Sequence, residues 1–427
     1  MAEKDPHSRS LLLLLTSAFA LNHLDRHILN ITLNDIGLEF QLSDLQLGTL
    51  SGFAFAIVYV VLGFPVAKLS RPGRRKLIVT SALGIWSVMT LLVGASANYL
   101  QIFLARVGVG IGEAGFVPPS HSMIADAYEK DRRASAIAFF SAGANVGIFL
   151  SFIIGGFVAG HYGWRAAFLV AGLPGLFLMV VMLLKLKEPK TAINAENRKF
   201  DQTEIDSYRI VLKKLLELRS TRHVLVAATL TSVVGYGAIA WIAVFLTRIH
   251  ELPLPQTGLY LAIVVGLAGA IGTWLGGKFS DKLGKTRSDW RLKFVAITIL
   301  IAKPLAILFY LNEHLAMALT LFVIPAATGS IFIGPTFAHA YARVLPHQRA
   351  QVTALLMFTL NLVGLGVGPI LIGFISDTLS ASYGADSLRY ALIAIQLAGL
   401  WAAVHFWLAG RAVLVEEDKS VSETKEA

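Results

Sequence analysis

Apolar stretches of about twenty residues recur along this chain and are parted by short polar breaks. A hydrocarbon core about 30 Å thick takes about 20 apolar residues of helix. The pattern predicts twelve membrane spans, at residues 11–34, 46–67, 77–96, 99–125, 134–160, 166–185, 224–247, 256–277, 294–311, 315–342, 351–376 and 390–411. Several of them, including 46–67, 77–96, 134–160, 224–247 and 351–376, contain no formally charged side chain. The one substantial polar interruption, 188–222, divides the spans six and six. Its second half sets Ile210, Leu212, Leu215, Leu216 and Leu218 among Arg209, Lys213 and Lys214, the pattern of a helix lying on a membrane face. The expected organisation is a six-helix bundle over 1–187, a linker over 188–222 with a surface helix, a second six-helix bundle over 223–415, and a disordered tail over 416–427. Ala18-Phe19-Ala20 resembles a signal-peptidase site, but cleavage there leaves the first half one helix short, so the segment is retained.

Composition agrees with an all-α polytopic membrane protein. Hydrophobic residues make up 55% of the 427, charged residues 15%, and the mean hydropathy is +0.65, more apolar surface than one soluble core buries. The loop after the second span carries Lys68, Arg71, Arg74, Arg75 and Lys76, and the loop after the eighth carries Lys278, Lys282, Lys285, Arg287 and Arg291. Basic loops stay on the cytoplasmic side, so both termini are expected there as well. The formal charge of +10 is explained by orientation and anionic headgroups rather than by nucleic acid, since no soluble basic domain exists to hold a strand. Cysteine is absent, and no H-E-x-x-H pair, phosphate-binding loop or nucleophile elbow occurs. No metal, cofactor or enzymatic activity is expected, and energy must come from ion gradients.

Asp25 and Arg26 in the first span and Glu113 in the fourth are the most informative of the charges at bilayer depth. Each costs about 2.5 kcal/mol or more to insert, so each is expected to face a cavity or a partner. Adjacent residues on a helix point about 100° apart, so Asp25 and Arg26 need separate partners. Arg106 and Glu113 are two turns apart on nearly one face, and Gly108, Gly110, Gly112 and Gly115 slim the fourth span for close approach. Spans one and four are therefore expected to adjoin, with Arg26 bridging to Glu113. Such a pair is either a switch, in which an anionic substrate draws Arg26 away and a carboxylate takes up a proton, or a permanent structural tie. Arg106 is read as a structural clamp. Lys303, beside Pro304 in the ninth span, either meets an anionic group or snorkels. His23 and His27 either shuttle protons or pack. Phe53, Phe55, Tyr59, Tyr236, Trp241, Phe332 and Phe358 are candidates to line an apolar half-cavity.

The six-plus-six arrangement with matched basic loops resembles the major facilitator superfamily, whose halves are related by a pseudo-twofold axis. Gly277 to Lys285, G-K-F-S-D-K-L-G-K, is similar to that superfamily's G-x-L-A-D-R-x-G-R loop, and Asp281 is the acidic residue able to latch one conformation. The first-half copy, V-A-K-L-S-R-P-G-R-R, has Arg74 and Arg75 but no acid, which leaves topology or gating as alternatives there. Asn22-His23-Leu24-Asp25-Arg26, R-V-G-V-G-I-G-E-A from Arg106 to Ala114, and P-P-S-H-S-M-I-A-D-A-Y from Pro118 to Tyr128 resemble Spinster-like lipid transporters of the bacterial type. The resemblance implies a monomeric secondary transporter in the inner (plasma) membrane of a bacterium, working by alternating access. It implies a lysophospholipid or sphingosine-phosphate-like cargo and protons as coupling ion. Arg26, Glu113 and Lys303 are the expected substrate contacts, Asp25 and Glu113 the proton carriers, and Arg106, Asp281, Arg74 and Arg75 the structural or gating residues. Proton-coupled symport of a small organic anion is the alternative.

Overall fold

The computed structural model describes residues 6–70, 72–189, 208–345 and 348–426. Arg71 and residues 190–207 of the expected linker lie outside the described residues. Eighteen α-helices follow one another: α1 (Pro6–Phe40), α2 (Asp44–Gly48), α3 (Ala54–Leu69), α4 (Arg75–Gly94), α5 (Tyr99–Ala114), α6 (Val117–Ala127), α7 (Lys130–Tyr162), α8 (Trp164–Lys185), α9 (Tyr208–Glu217), α10 (Arg219–Arg248), α11 (Leu254–Leu261), α12 (Gly269–Thr286), α13 (Trp290–Leu311), α14 (Leu315–Thr328), α15 (Ile333–Ala342), α16 (Arg349–Thr359), α17 (Gly366–Tyr383) and α18 (Ser387–Glu426). No strand occurs among the described residues. Helix α18 runs to Glu426, through the residues expected to form a tail.

Ten stretches among the described residues are long and apolar enough to cross a membrane, against twelve expected. Two features account for the difference. Helix α1, which carries Asp25, Arg26, Asp35 and Glu39, is not among the ten, and residues 351–418 form one stretch that contains α17 and α18 with a single turn between them.

Polar side chains start several helices. Ser43 accepts from the Gln46 amide while the Gln46 side chain accepts from the Ser43 amide, closing a capping box ahead of α2. Asn98 accepts from the Gln101 amide at 3.0 Å and begins α5. The connections entering α2 and α11 share a turn. Gln41 and Glu251, each at φ +50°, both stand three residues before the next helix. Helices in the two halves also share a deviation, a π-helical segment shortly after the turn, at Thr49–Phe53 before α3 and at Ala262–Ala268 before α12. A third lies at Leu360–Leu365, where the Tyr236 hydroxyl donates to Asn361 Oδ1 at 3.2 Å.

Two compact units result, Met1–Phe200 with Ala240–Gly266, and Asp201–Ile239 with Leu267–Ala427. In the first, α1 packs along α7, α4 between α5 and α8, α5 against α3, and α7 against α11. Glycines set these distances. A Cβ on Gly147 of α7 would stand 2.1 Å from the Ala20 carbonyl oxygen of α1, and one on Gly258 of α11 would stand 2.2 Å from that of Phe152 in α7. Without side chains there, backbones approach closely enough for dispersion to hold helices together in lipid, where the hydrophobic effect between helices is absent. In the second unit α13 packs on α14 and α18, α17 on α18, and α9 on α16. A Cβ on Gly272 of α12 would meet the Ala327 carbonyl oxygen at 1.9 Å. Large apolar side chains such as Phe177, Leu184 and Trp274 stay outside both cores, as lipid-facing positions do.

Candidate substrate and proton site

The intramembrane charges meet inside the first unit. A guanidinium nitrogen of Arg26, on α1, contacts Glu113 Oε2 on α5, and the Glu113 side chain is fully buried. Arg26 also lies over two rings of α3, 4.5 Å from the Phe55 centroid and 5.3 Å from that of Tyr59. These rings stack on each other at 5.1 Å. They present the negative faces of their π systems to a guanidinium only 12% exposed, an attraction of about 1 kcal/mol. Asp25 points elsewhere, as the 100° turn between neighbours requires. Its Oδ2 accepts from the Thr90 hydroxyl of α4 at 3.2 Å, and its Oδ1 is buried without a hydrogen-bond donor. Arg106 is 1% exposed; its Nε donates to the Leu50 carbonyl at 3.4 Å and its guanidinium lies 5.5 Å from the Phe55 centroid.

The bridge between the first and fourth spans forms as expected, but by a different route. The glycines of α5 do not face α1. A Cβ on Gly110 would stand 2.7 Å from the Phe55 carbonyl of α3, and one on Gly112 would stand 2.7 Å from the Trp86 amide of α4. Helices α1 and α5 therefore meet through the long Arg26 and Glu113 side chains, while the small-residue stripe joins α5 to α3 and α4. Thr90, Phe55 and Tyr59 are the partners that sequence reading did not assign. Thr90 was one of several hydroxyls in an uncharged span. Phe55 and Tyr59, four apart, were among the aromatic candidates with nothing to mark them as carriers of a cation.

Beside this cluster, a chain of buried polar groups runs from His27, whose Nδ1 lies 3.3 Å from Asn30 Nδ2, to Ser51, whose hydroxyl donates to Asn30 Oδ1 at 2.9 Å. His23 stacks edge-on with Phe19, with ring centroids 4.6 Å apart.

The remaining expected site residues lie elsewhere. Lys303 belongs to the second unit, where its methylene stem covers Gly399 of α18. Asp281 is also in that unit, mostly exposed, with Oδ1 3.7 Å from the guanidinium of Arg291, in the first turn of α13. Arg74 is exposed at the start of α4. Arg75 is 1% exposed, so the loop for which topology and gating were the alternatives contains a buried tie: its guanidinium donates to Asp126 Oδ2 at 2.6 Å, to the Ser122 hydroxyl at 2.8 Å and to Glu188 Oε1 at 2.8 Å. Glu188 accepts from the Gly73 amide too, at 2.9 Å. Outside the spans, Arg165 and Trp164 donate to Glu39 Oε2 at 2.6 and 2.7 Å, and these hydrogen bonds hold the Glu39 carboxyl below its usual range. Arg248 Nη1 donates to both Asp44 oxygens at 2.9 and 3.0 Å.

The family model described as Major Facilitator Superfamily matches residues 15–369. The chain belongs to the Major Facilitator Superfamily. Members of this superfamily are transporters, and the chain is a membrane transporter rather than an enzyme. An MFS-type efflux pump of Mycolicibacterium smegmatis is 30% identical over 93% of this chain and 92% of its own length. Protein spinster homolog 1 of Xenopus tropicalis is 28% identical over 98% of this chain and 83% of that protein. A probable L-galactonate transporter of Escherichia coli is 26% identical over 90% and 84%. Among solved structures, a bacterial homolog of the human lysosomal transporter Spinster, in an inward-facing and unoccupied conformation, aligns with a TM-score of 0.85 at 27% identity, covering 96% of this chain and 98% of that one. This major facilitator chain is thus Spinster-like along almost its whole length.

Proposed function

We propose that this transporter works by alternating access and moves an amphipathic anionic lipid, of the lysophospholipid or sphingosine-phosphate type, coupled to protons. The observation that carries the reading is the balance of buried charge in the first unit: the cations Arg26 and Arg106 against the carboxylates Asp25 and Glu113. Four such groups are tolerable in low dielectric only while they neutralise one another. An anionic headgroup drawn to Arg26 leaves one carboxylate unmatched. A proton on Glu113, or on the undonated Oδ1 of Asp25, restores the balance, so headgroup and proton bind together. Phe55 and Tyr59 supply apolar surface beside the same guanidinium, which suits a molecule with a charged end and a greasy one. The likeness to Spinster proteins supports the lipid class.

In this reading Arg106 clamps α5 to the Leu50 carbonyl, Asp281 and Arg74 act in gating, and Arg75 ties the cytoplasmic ends of α4 and α6 to the start of the linker. Lys303 is a further contact for anions. The functional halves are 1–187 and 223–415, in a monomer of the inner membrane with both termini cytoplasmic. A second reading, proton-coupled symport of a small organic anion, is favoured by the similarity to a probable L-galactonate transporter and by the two guanidinium groups near one another.

Uptake by purified protein in liposomes separates the two. A fluorescent lysophospholipid and a small carboxylate are compared with and without an imposed pH gradient, for the natural chain and for Glu113→Gln. Lipid movement that needs the gradient and is lost in the variant is expected. Carboxylate movement alone would establish the second reading, and unchanged transport by both Glu113→Gln and Arg26→Ala would remove the coupled switch.

A further inference from the structure

Helix α9 carries two apolar strips, and the protein core uses one of them. Val211 and Leu215 are fully buried against Ala340, Val344, Val352 and Leu356. Those partners bracket the place where one candidate span ends, at Ala342, and the next begins, at Gln351. Helix α9 is therefore held at the depth where spans leave the hydrocarbon.

The second strip is Leu212 and Leu216, 37% and 42% exposed and one turn apart, rotated about 100° from the buried strip. Arg209, Lys213 and Glu217 line a shallow open groove with these two leucines. Lys214, also exposed, adds another positive charge to the helix. Leucines standing one turn apart beside cations, on a helix fixed at interfacial depth, match the two layers of a lipid surface: phosphates outside, first methylenes inside. A soluble acidic partner would match the cations but gives no reason for the leucines to stand at this depth.

We propose that this second face of α9 seats in an anionic phospholipid leaflet, with Leu212 and Leu216 among the first methylenes and Arg209 and Lys213 on lipid phosphates. Since the buried strip grips α15 and α16 near where they face each other, the leaflet is joined mechanically to two spans of the second unit. The seat is independent of the cargo and of proton coupling, and its test needs no transport.

The chain has no cysteine, so single cysteines at Leu212, Leu216 and Lys214 accept a spin label without background. The labelled full-length protein is reconstituted in phosphatidylcholine alone and with phosphatidylglycerol added. Collisions with oxygen and with a water-soluble nickel chelate then report depth. Labels at 212 and 216 are expected to be shielded from nickel and open to oxygen when phosphatidylglycerol is present, with the label at 214 open to nickel. Lys213→Gln is expected to weaken the phosphatidylglycerol dependence about five-fold, the share of one cation at an anionic surface. Labels at 212 and 216 that are as open to nickel as the label at 214 in both bilayers would overturn the proposal. So would shielding that is the same with and without phosphatidylglycerol.

Discussion

Arg26→Ala tests how far the buried charges of the first unit depend on one another. The substitution leaves the fully buried Glu113 without its guanidinium, and two carboxylates, Asp25 and Glu113, with Arg106 as the nearby cation. Breaking a buried pair from one side costs about 3–5 kcal/mol, and removing the guanidinium from the Phe55 face, 4.5 Å away, adds about 1 kcal/mol. With an unfolding entropy of about 2.1 cal/mol/K per residue, 1 kcal/mol shifts the midpoint of a 427-residue chain by roughly 1 °C, so Arg26→Ala is expected to melt roughly 5 °C lower. Adding Glu113→Gln to the same chain removes the stranded carboxylate and returns the set to one cation and one anion. Arg26→Ala/Glu113→Gln is therefore expected to melt above Arg26→Ala alone, with a coupling of about 2 kcal/mol. The assay is thermal unfolding of purified protein in detergent, followed by tryptophan fluorescence, for the natural chain, both single variants and the double. If the two single losses simply add in the double variant, Arg26 and Glu113 are not coupled and the charge-balance argument fails with them.

Arg75→Ala strands Glu188 and Asp126, which are partly exposed, so a loss of about 2–3 kcal/mol is expected, at or below the lower end for a buried pair; the melting temperature checks it, and no loss would mean that the tie is not made. Gly147→Ala places a methyl 2.1 Å from the Ala20 carbonyl and forces α1 off α7, at about 1–3 kcal/mol, whereas Gly63→Ala, which meets nothing within 4 Å, is expected to be close to neutral in the same melt. Hydrogen bonds from Arg165 and Trp164 hold the Glu39 carboxyl below its ordinary value of 4.5, so their stabilisation is present above that pH and is lost as pH falls through the folded value. The natural chain is expected to exceed Glu39→Gln in stability at neutral pH, with the gap closing in acid; a gap independent of pH would refute the assignment.

Much of the fold was legible because lipid imposes long uncharged helices, and those leave a signal in the chain itself. The pairing of Arg26 with Glu113 was legible for the same reason, since two opposite charges at similar depth in different spans have few other ways to be accommodated. The direction of the α5 glycines was not. A small-residue stripe says that some backbone comes close, but three helices were candidates, and α3 and α4 took the place given to α1. Arg75 was hidden by its setting in a basic loop, because the residues that bury it, Asp126 and Glu188, are 51 and 113 positions away. Thr90 carries no charge to mark it, and only the position of Asp25 gives it a role. The expected twelve spans became ten long apolar stretches among the described residues because the polar and charged residues that single out α1, Asp25 and Arg26 among them, also lower its hydropathy, and because α17 and α18 nearly run together.

The π-helical segment at Ala262–Ala268 has an evolutionary consequence. Deleting one residue from a regular α-helix turns every later side chain by about 100°. On either side of this segment such a turn is blocked, because Gly258 must keep facing the Phe152 carbonyl and Gly272 the Ala327 carbonyl. The wider turn of the segment takes up the angular slack of an extra residue, so shortening it by one converts it to ordinary α-helix and leaves both glycines aimed as before. A lineage can lose a residue there without disturbing either contact, whereas the same change at Gly258 or Gly272 would turn a side chain into backbone.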